Sequence, residues 1–528
     1  MGESLGYSYH TPRASFIFKI RQIVSHINDV FSKFSKYIAP AVHHDRCERS
    51  VQMRLYNMHK REFVMVFIIL FAALGLAIFV GLAGPPITST VEQRITEVMP
   101  DLNQSQLATG PFVLKSPSLS TYSQQLWVIA KIIMNHNEEF FKREFLLNIS
   151  LEGLAKDMKK TEVLKKNQAH SRNRTLSCDH DACSEFNILH LGYLEYTHFI
   201  LTLNFQGLEN IHQRAPIKDI IFYFKTYNPS FTKLEIWVRF IFLVVSFAMM
   251  SWFAHSLREY SIYVWSIEQK WLSLLLPLLL LYNDPIFPLM FLVDSWVPAF
   301  LDTVFQATFL CALLLFWLCI YHGLRQNERS FTQFYLPKLL IVGWMWLCSI
   351  VMATIQKYNE LRDPLYSTAV QTNHFHNLRC FFIAGTIYIL YLVFLIITAY
   401  SELRAMPYFD VRLKFVTILM FVVLCISLTI TVLRFGVGAL EDNFVAQLST
   451  TYSSSAEFMA FYGLLNIYLY TSAFVYSASY RDFIDTQVLK DNPAFSMVND
   501  SDEDVIYGSD DETRRPLNRG GNDNEESD

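Results

Sequence analysis

From Phe63 to Ala83 the chain reads FVMVFIILFAALGLAIFVGLA, without a single charge. A helix rises about 1.5 Å per residue, so this run matches a hydrocarbon layer about 30 Å thick. Mixed, mostly polar sequence follows. Beyond Leu234 the apolar runs crowd together, at about 236–257, 271–293, 299–322, 336–356, 378–400, 413–434 and 456–478. The pattern predicts a polytopic α-helical membrane protein in which one isolated anchor helix precedes a seven-helix transmembrane bundle, eight spans in all. The composition agrees, with 52% hydrophobic and only 17% charged residues in a chain of 528, against roughly 25% charged in soluble chains. A net charge of −4 supplies no basic field for nucleic acid.

Charge asymmetry orients the spans. The first begins too late for a cleaved signal peptide and reads as a signal anchor at 63–83. Arg54, Lys60 and Arg61 precede it, whereas GPPITST after it carries no Lys or Arg. The positive-inside rule puts residues 1–62 in the cytosol, and eight spans return the C-terminus there. The short loops agree: Arg258, Lys270, Arg325, Arg329, Lys338, Arg404, Arg412 and Lys414 fall on the cytosolic side. Lys357 and Arg362 fall in luminal turns, with Arg379 and Arg434 at span edges. The expected setting is a multi-pass protein of the Golgi, endosomes and plasma membrane.

Residues 84–234 then face the lumen or the cell exterior. Sequons at Asn103, Asn148 and Asn173 fall inside this segment, which fits a glycosylated luminal domain. Asn499 lies in the cytosolic tail and is expected to stay bare, and Pro229 disqualifies Asn228. Cys178 and Cys183 are the cysteines of this segment, and an oxidising compartment favours a disulfide closing a small hairpin. A metal site using His180 and Asp181 is the alternative, but two further ligands are not evident. Runs at 124–134, 144–153, 185–191, 198–205 and 219–227 are short, rich in aliphatic and aromatic residues, and spaced by polar stretches. They read as a small antiparallel β-sandwich at 84–234. Nothing in it looks catalytic.

In the membrane block, the run 271–293 carries Pro277, Pro285 and Pro288, with Asn283 and Asp284 at the break. Freed carbonyls beside a carboxylate make a candidate site for an ion or a polar ligand group. The alternative is a luminal helix end with Asp284 solvated beside a turn. Arg239 and His255 are expected to snorkel from the ends of their span. Gln306, His322, Glu457 and Asn466 read as polar contacts between helices. No HExxH, GxSxG or P-loop occurs in the membrane block, so neither an enzyme nor a cofactor is expected. The last span has no lysine for a retinal Schiff base, and NPxxY and DRY are missing, which disfavours a rhodopsin-like receptor.

Both ends of the chain carry their own signals. Phe16, Ile20, Ile23, Ile27, Phe31, Phe34 and Ile38 recur at helical spacing, accompanied by Lys19, Arg21, Lys33 and Lys36. This predicts an amphipathic helix lying on anionic membrane lipids, or else packed on the protein's own cytosolic loops. Residues 479–528 are strongly acidic and are expected to be disordered. Tyr480 and Phe483 fit a tyrosine-based sorting pattern, and Asn492, Pro493 and Phe495 an internalisation turn, both read by cytosolic sorting adaptors. Ser501 and Ser509 precede acidic runs suited to phosphorylation. A merely solubilising tail is the alternative.

The strings HLGYLEYT (190–197), TYNPSFTKLEIW (226–237), LLPLLLLYNDPIFPL (275–289), LCALLLFWLCIYHG (310–323), SELRAMPYFDVRLKF (401–415), FYGLLNIYLYT (461–471) and DNPAFSMVNDSDEDVIYGSD (491–510) closely resemble the transmembrane protein 181 family. That family is similar in architecture to Wntless and to the GOLD-domain seven-helix proteins. The resemblance implies a luminal GOLD-like β-sandwich stacked on a seven-helix bundle. It also implies cargo-binding trafficking, with a luminal protein or lipidated cargo as partner. An association with bacterial cytolethal distending toxin comes with the family. The readings left open are a seven-helix signalling receptor and a transporter using the broken run at Asn283 and Asp284.

Overall fold

The structure, a computed structural model, describes residues 51–479 apart from 135–140, 156–159, 164–170, 180–181, 210–215, 326–330, 366–371, 404–406, 436–451 and 453. The amphipathic stripe Phe16–Ile38, His180 and Asp181 lie outside the described residues. So do Asn499 and the tail motifs at Tyr480, Phe483, Asn492, Pro493, Phe495, Ser501 and Ser509.

Among the described residues the long helices are α1 (Lys60–Leu82), α2 (Pro229–Leu257), α3 (Ile267–Tyr282), α4 (Val297–Gly323), α5 (Leu336–Arg362), α6 (Thr372–Leu403), α7 (Pro407–Phe435) and α8 (Ser455–Tyr476). Seven of the described helices are long and apolar enough to cross a membrane, and α3 is not among them. The exception is the run expected to be broken at Asn283 and Asp284. The run 271–293 is one helix only as far as Tyr282, because α3 holds 16 residues, about 24 Å at 1.5 Å each. Pro285 and Pro288 lack the amide hydrogens to continue it. Asp284 instead turns the chain in the left-handed region, at φ 49°, where Asp and Asn are the side chains best tolerated after glycine. A four-residue helical turn, Leu289–Leu292, follows before α4.

Helix α1 stands beside the bundle and packs on α8. A Cβ on Gly81 would meet the Ala456 Cα at 2.6 Å, and one on Gly463 would meet the Ala77 Cβ at 3.1 Å. Small residues thus let the two backbones approach. The far side of α1 stays bare, with Phe79 and Leu76 among its exposed residues. Helix α8 is buried nearly all round, which makes it the central post of the bundle.

Among the described residues, the polar segment forms ten antiparallel strands: β1 (Thr88–Arg94), β2 (Phe112–Lys115), β3 (Leu126–Met134), β4 (Phe141–Leu154), β5 (Lys160–Glu162), β6 (Ser171–Asp179), β7 (Ala182–Cys183), β8 (Phe186–Leu191), β9 (His198–Gln206) and β10 (Ile217–Tyr227). Their order is β1-β10-β3-β7-β6-β4-β9-β2, with β5 on β4 and β8 on β3. All five runs expected to be strands are strands. The sheet folds back on itself, since Phe112 of β2 and Phe222 of β10 sit at distant positions in that order, yet their rings lie 6.2 Å apart. Phe145, Phe186 and Phe205 fill the same core through ring contacts of 5.2–6.3 Å. Cys178 and Cys183, opposite one another across β6 and β7, form a disulfide.

Strand β1 follows α1 and pairs along its length with β10, which precedes α2. Both connections between sheet and bundle therefore leave side by side. Asn228 makes the turn: its amide donates to the Ile87 carbonyl at 2.8 Å, and its side chain caps α2 by accepting from Ser230 N–H at 3.0 Å. Pro229 sits in the first helical turn, where its missing donor costs nothing.

Candidate functional site at the sheet end of the bundle

The break after α3 brings Asn283 and Asp284 into the bundle rather than into solvent. Asn283 is fully buried. Its Nδ2 donates to Ser246 Oγ at 2.9 Å and to Asn466 Oδ1 at 3.0 Å, while Asn466 Nδ2 returns a bond to Asn283 Oδ1 at 3.1 Å. Tyr470 donates to Asn466 Oδ1 at 3.1 Å. The carbonyl of Tyr282, deprived of its helical partner, accepts from the Tyr462 hydroxyl at 3.1 Å. Helices α2, α3 and α8 are thus joined by one satisfied polar knot, the condition under which buried amides are tolerated.

Asp284 is 3% exposed, which excludes the solvated helix end considered from sequence. Its Oδ1 accepts from the Ile286 amide at 3.2 Å, an Asx turn that fixes the break. Arg239 of α2 does not snorkel. It is 5% exposed, and its guanidinium lies 4.0 Å above the Phe287 ring and 5.0 Å from the Tyr462 ring. Nε and Nη2 both donate to Glu235 Oε1, at 3.2 and 2.9 Å. Nη1 points between two further carboxylates, 3.6 Å from Asp302 Oδ1 and 4.0 Å from Asp284 Oδ2. Gln306, one turn beyond Asp302 on α4, donates to Asp302 Oδ1 at 2.8 Å.

Sequence reading found the break but not the company it keeps. Glu235 and Arg239 are spaced i,i+4, a readable ion pair. Asp302 gave no local signal, because only the packing of α4 against α2 and the break brings it in. Among the other residues singled out, Asn466 and Gln306 serve as contacts within this region. His322 lies at the opposite end, its Nδ1 2.6 Å from Lys338 Nζ.

The sheet rests directly over this cluster. Gln124, itself at φ 52°, donates from Nε2 to Thr232 Oγ1 at 3.0 Å, and Thr232 donates to the Tyr122 carbonyl at 2.7 Å. On the sheet's other flank, Leu365 beyond α5 is buried in the sandwich core, held by Arg172 and Arg174 of β6. Burial, reinforced by the neighbouring Arg172 charge, draws the Arg174 guanidinium below its ordinary pKa. Of the sequons, Asn103 and Asn173 are exposed and Asn148 is half-buried on β4.

Residues 110–227 match a family model described as the TMEM181 GOLD domain. Residues 228–480 match one described as the Wntless-like transmembrane domain. The border between the two falls at Asn228, the residue that caps α2. Transmembrane protein 181 of Homo sapiens is 52% identical over 471 residues, covering 89% of this chain and 96% of that protein. The chain belongs to the transmembrane protein 181 family. Wntless homolog B of Xenopus laevis is 24% identical over 212 residues, and the wntless homolog of Mus musculus 24% over 213, in each case 37% of this chain and 39% of the relative. For a member of the transmembrane protein 181 family, the buried charge cluster therefore lies in the Wntless-like part, close beneath its border with the GOLD domain. Neither family model describes an enzyme.

Proposed function

We propose that this transmembrane protein 181 family member is a trafficking receptor of the cargo-binding kind. In this reading the GOLD domain faces the lumen or cell exterior, both termini are cytosolic, and the partner is a luminal protein or lipidated cargo. The observation that carries the reading is how firmly the GOLD domain is seated. It is tied to α2 through Asn228 and Gln124, and to the far end of α5 through Leu365. A domain held on both flanks passes the consequences of binding to the helices beneath it. The acidic tail supplies the sorting address. At the cell surface the same domain is open to an extracellular bacterial toxin, the partner class that the family resemblance implies.

Proximity labelling from the GOLD domain in intact cells, followed by co-purification with full-length protein, tests this directly. The same luminal protein is expected with the wild type and with Asp284→Ala. Truncation after Ser479 is expected to redistribute the protein between Golgi, endosomes and surface without unfolding it. The buried charge at the broken α3 favours one second reading, a transporter. Ion flux in proteoliposomes that disappears in Asp284→Ala, with no luminal partner recovered, would replace the receptor by the transporter.

A further inference from the structure

The cluster around Arg239 has a charge count that its surroundings do not balance. Glu235 takes two of the hydrogen bonds of the one guanidinium. Asp284 and Asp302 remain, and among the described residues no second cation joins them. The next one on the same helix, Lys233, lies over the Tyr122 ring at the domain junction. The other titratable groups facing the site are Tyr282 at the end of α3, Tyr452 before α8 and Tyr462 on α8. All three are neutral phenols when protonated, and no described histidine takes part. Two ionised carboxylates side by side in so enclosed a place repel strongly.

A second observation bears on how that repulsion is relieved. Arg239 Nη1 is buried and donates no hydrogen bond, although carboxylate oxygens stand 3.6 and 4.0 Å away. Two full negative charges would be drawn onto such a donor, as charge-assisted bonds close to about 2.7–2.9 Å. Instead Asp284 and Asp302 face the same guanidinium nitrogen without closing onto it, so three carboxyl groups crowd one cation. Uptake of one proton by the pair relieves that excess of negative charge. A metal ion is disfavoured here, because it would lie against the guanidinium. We infer that Asp284 and Asp302 form a proton-binding dyad, sharing one proton beside Arg239 where the GOLD domain meets the bundle. The proton comes from water at the sheet end, reached through Asp302, whose side chain is 18% exposed while that of Asp284 is 1%. This inference does not depend on the receptor reading.

The test uses full-length protein in lipid nanodiscs. Its infrared spectrum at neutral pH is expected to contain the carbonyl stretch of a protonated carboxylic acid, and that component is expected to vanish in Asp302→Asn. Thermal unfolding is expected to show the wild type losing stability as pH rises from mildly acidic to mildly alkaline, because the folded state holds a proton that the unfolded chain releases. For one proton the folding constant changes by about tenfold per pH unit in that window. Asp302→Asn should flatten the slope. Asp284→Asn should do the same and keeps the left-handed turn, so a folding failure at one position leaves the other informative. The inference is overturned if the acid stretch is unchanged in both variants. It is equally overturned if the wild-type midpoint ignores pH but rises with added sodium, which would make the bound cation a metal ion.

Discussion

Arg174 donates from Nη2 to the carbonyl of Leu365 at 2.8 Å across 191 positions of sequence. Around that bond, Arg172 Nη2 meets Asp363 Oδ2 at 2.6 Å, and the His190 amide donates to the Pro364 carbonyl at 2.8 Å. Leu365, 1% exposed, is thereby driven into the core of the sandwich. A loop of the helical bundle supplies a core residue to the sheet.

Leu365→Ala is therefore expected to cost about 2–4 kcal/mol, the usual range for emptying a leucine site. Asp363→Ala removes a part-exposed ion pair, worth about 0–1 kcal/mol, and the bond that Asp363 Oδ1 accepts from the Leu365 amide at 3.0 Å, worth about 1 kcal/mol, so its cost should stay below that of Leu365→Ala. Thermal unfolding of the two variants in detergent compares them. Equal shifts would mean that the side chain of Leu365 does not anchor the sheet.

The α1–α8 contact makes a prediction with its own control. At Gly81 an added methyl collides with the Ala456 backbone at 2.6 Å, whereas at Gly75 nothing lies within 4 Å. Gly81→Ala should push α1 off α8 and destabilise by about 1–3 kcal/mol. Gly75→Ala on the same helix should be neutral or slightly stabilising, since alanine is the better helix former. Disulfide trapping between cysteines placed on α1 and α8 should fail only in the Gly81 variant.

At the other end of the bundle Arg412 Nε donates to Glu268 Oε1 at 2.6 Å, and Nη2 pairs with Oε2. The side chains are 1% and 0% exposed. Removing one partner strands a buried charge, so Arg412→Leu should cost about 3–5 kcal/mol. Leucine at both positions should recover much of that loss. A double variant no more stable than the single one would show that the pair is not the reason.

Cys178 and Cys183 are five positions apart. Closing so small a loop constrains the unfolded chain by about 2 kcal/mol. Non-reduced peptide mapping should find them linked, and Cys178→Ser should lower the unfolding midpoint. Two freely alkylated thiols in the native protein would be the contrary result.

With the GOLD domain in the lumen, exposed Asn103 and Asn173 should carry glycans, and half-buried Asn148 should be modified less completely. Glycosidase treatment should increase gel mobility, and replacing all three asparagines should abolish that shift. A shift that survives the triple replacement would contradict the proposed orientation.

The sequence by itself determined what depends on neighbours within a few residues. Uncharged runs such as Phe63–Ala83 require a helix that satisfies its own backbone. Short aliphatic and aromatic runs marked β3, β4, β8, β9 and β10, whereas the more polar or shorter β1, β2, β5, β6 and β7 gave no such run. The Asn283-Asp284-Pro285 step announced a break, because proline cannot donate and aspartate tolerates the left-handed turn. The short spacing of Cys178 and Cys183 put a hairpin disulfide within reach. Tertiary structure decided which of these local features meet. Arg239 read as a snorkelling end residue because its sequence neighbours are apolar, and only helix packing delivers Asp284 and Asp302 to it. Glu268 and Arg412 are 144 positions apart, and Leu365 lies in a loop that no periodicity connects to a sheet. Local spacing fixes contacts one helical turn away. Which charges become neighbours depends on how whole helices pack, and that is set by the sum of many weak apolar contacts that no short stretch of sequence contains.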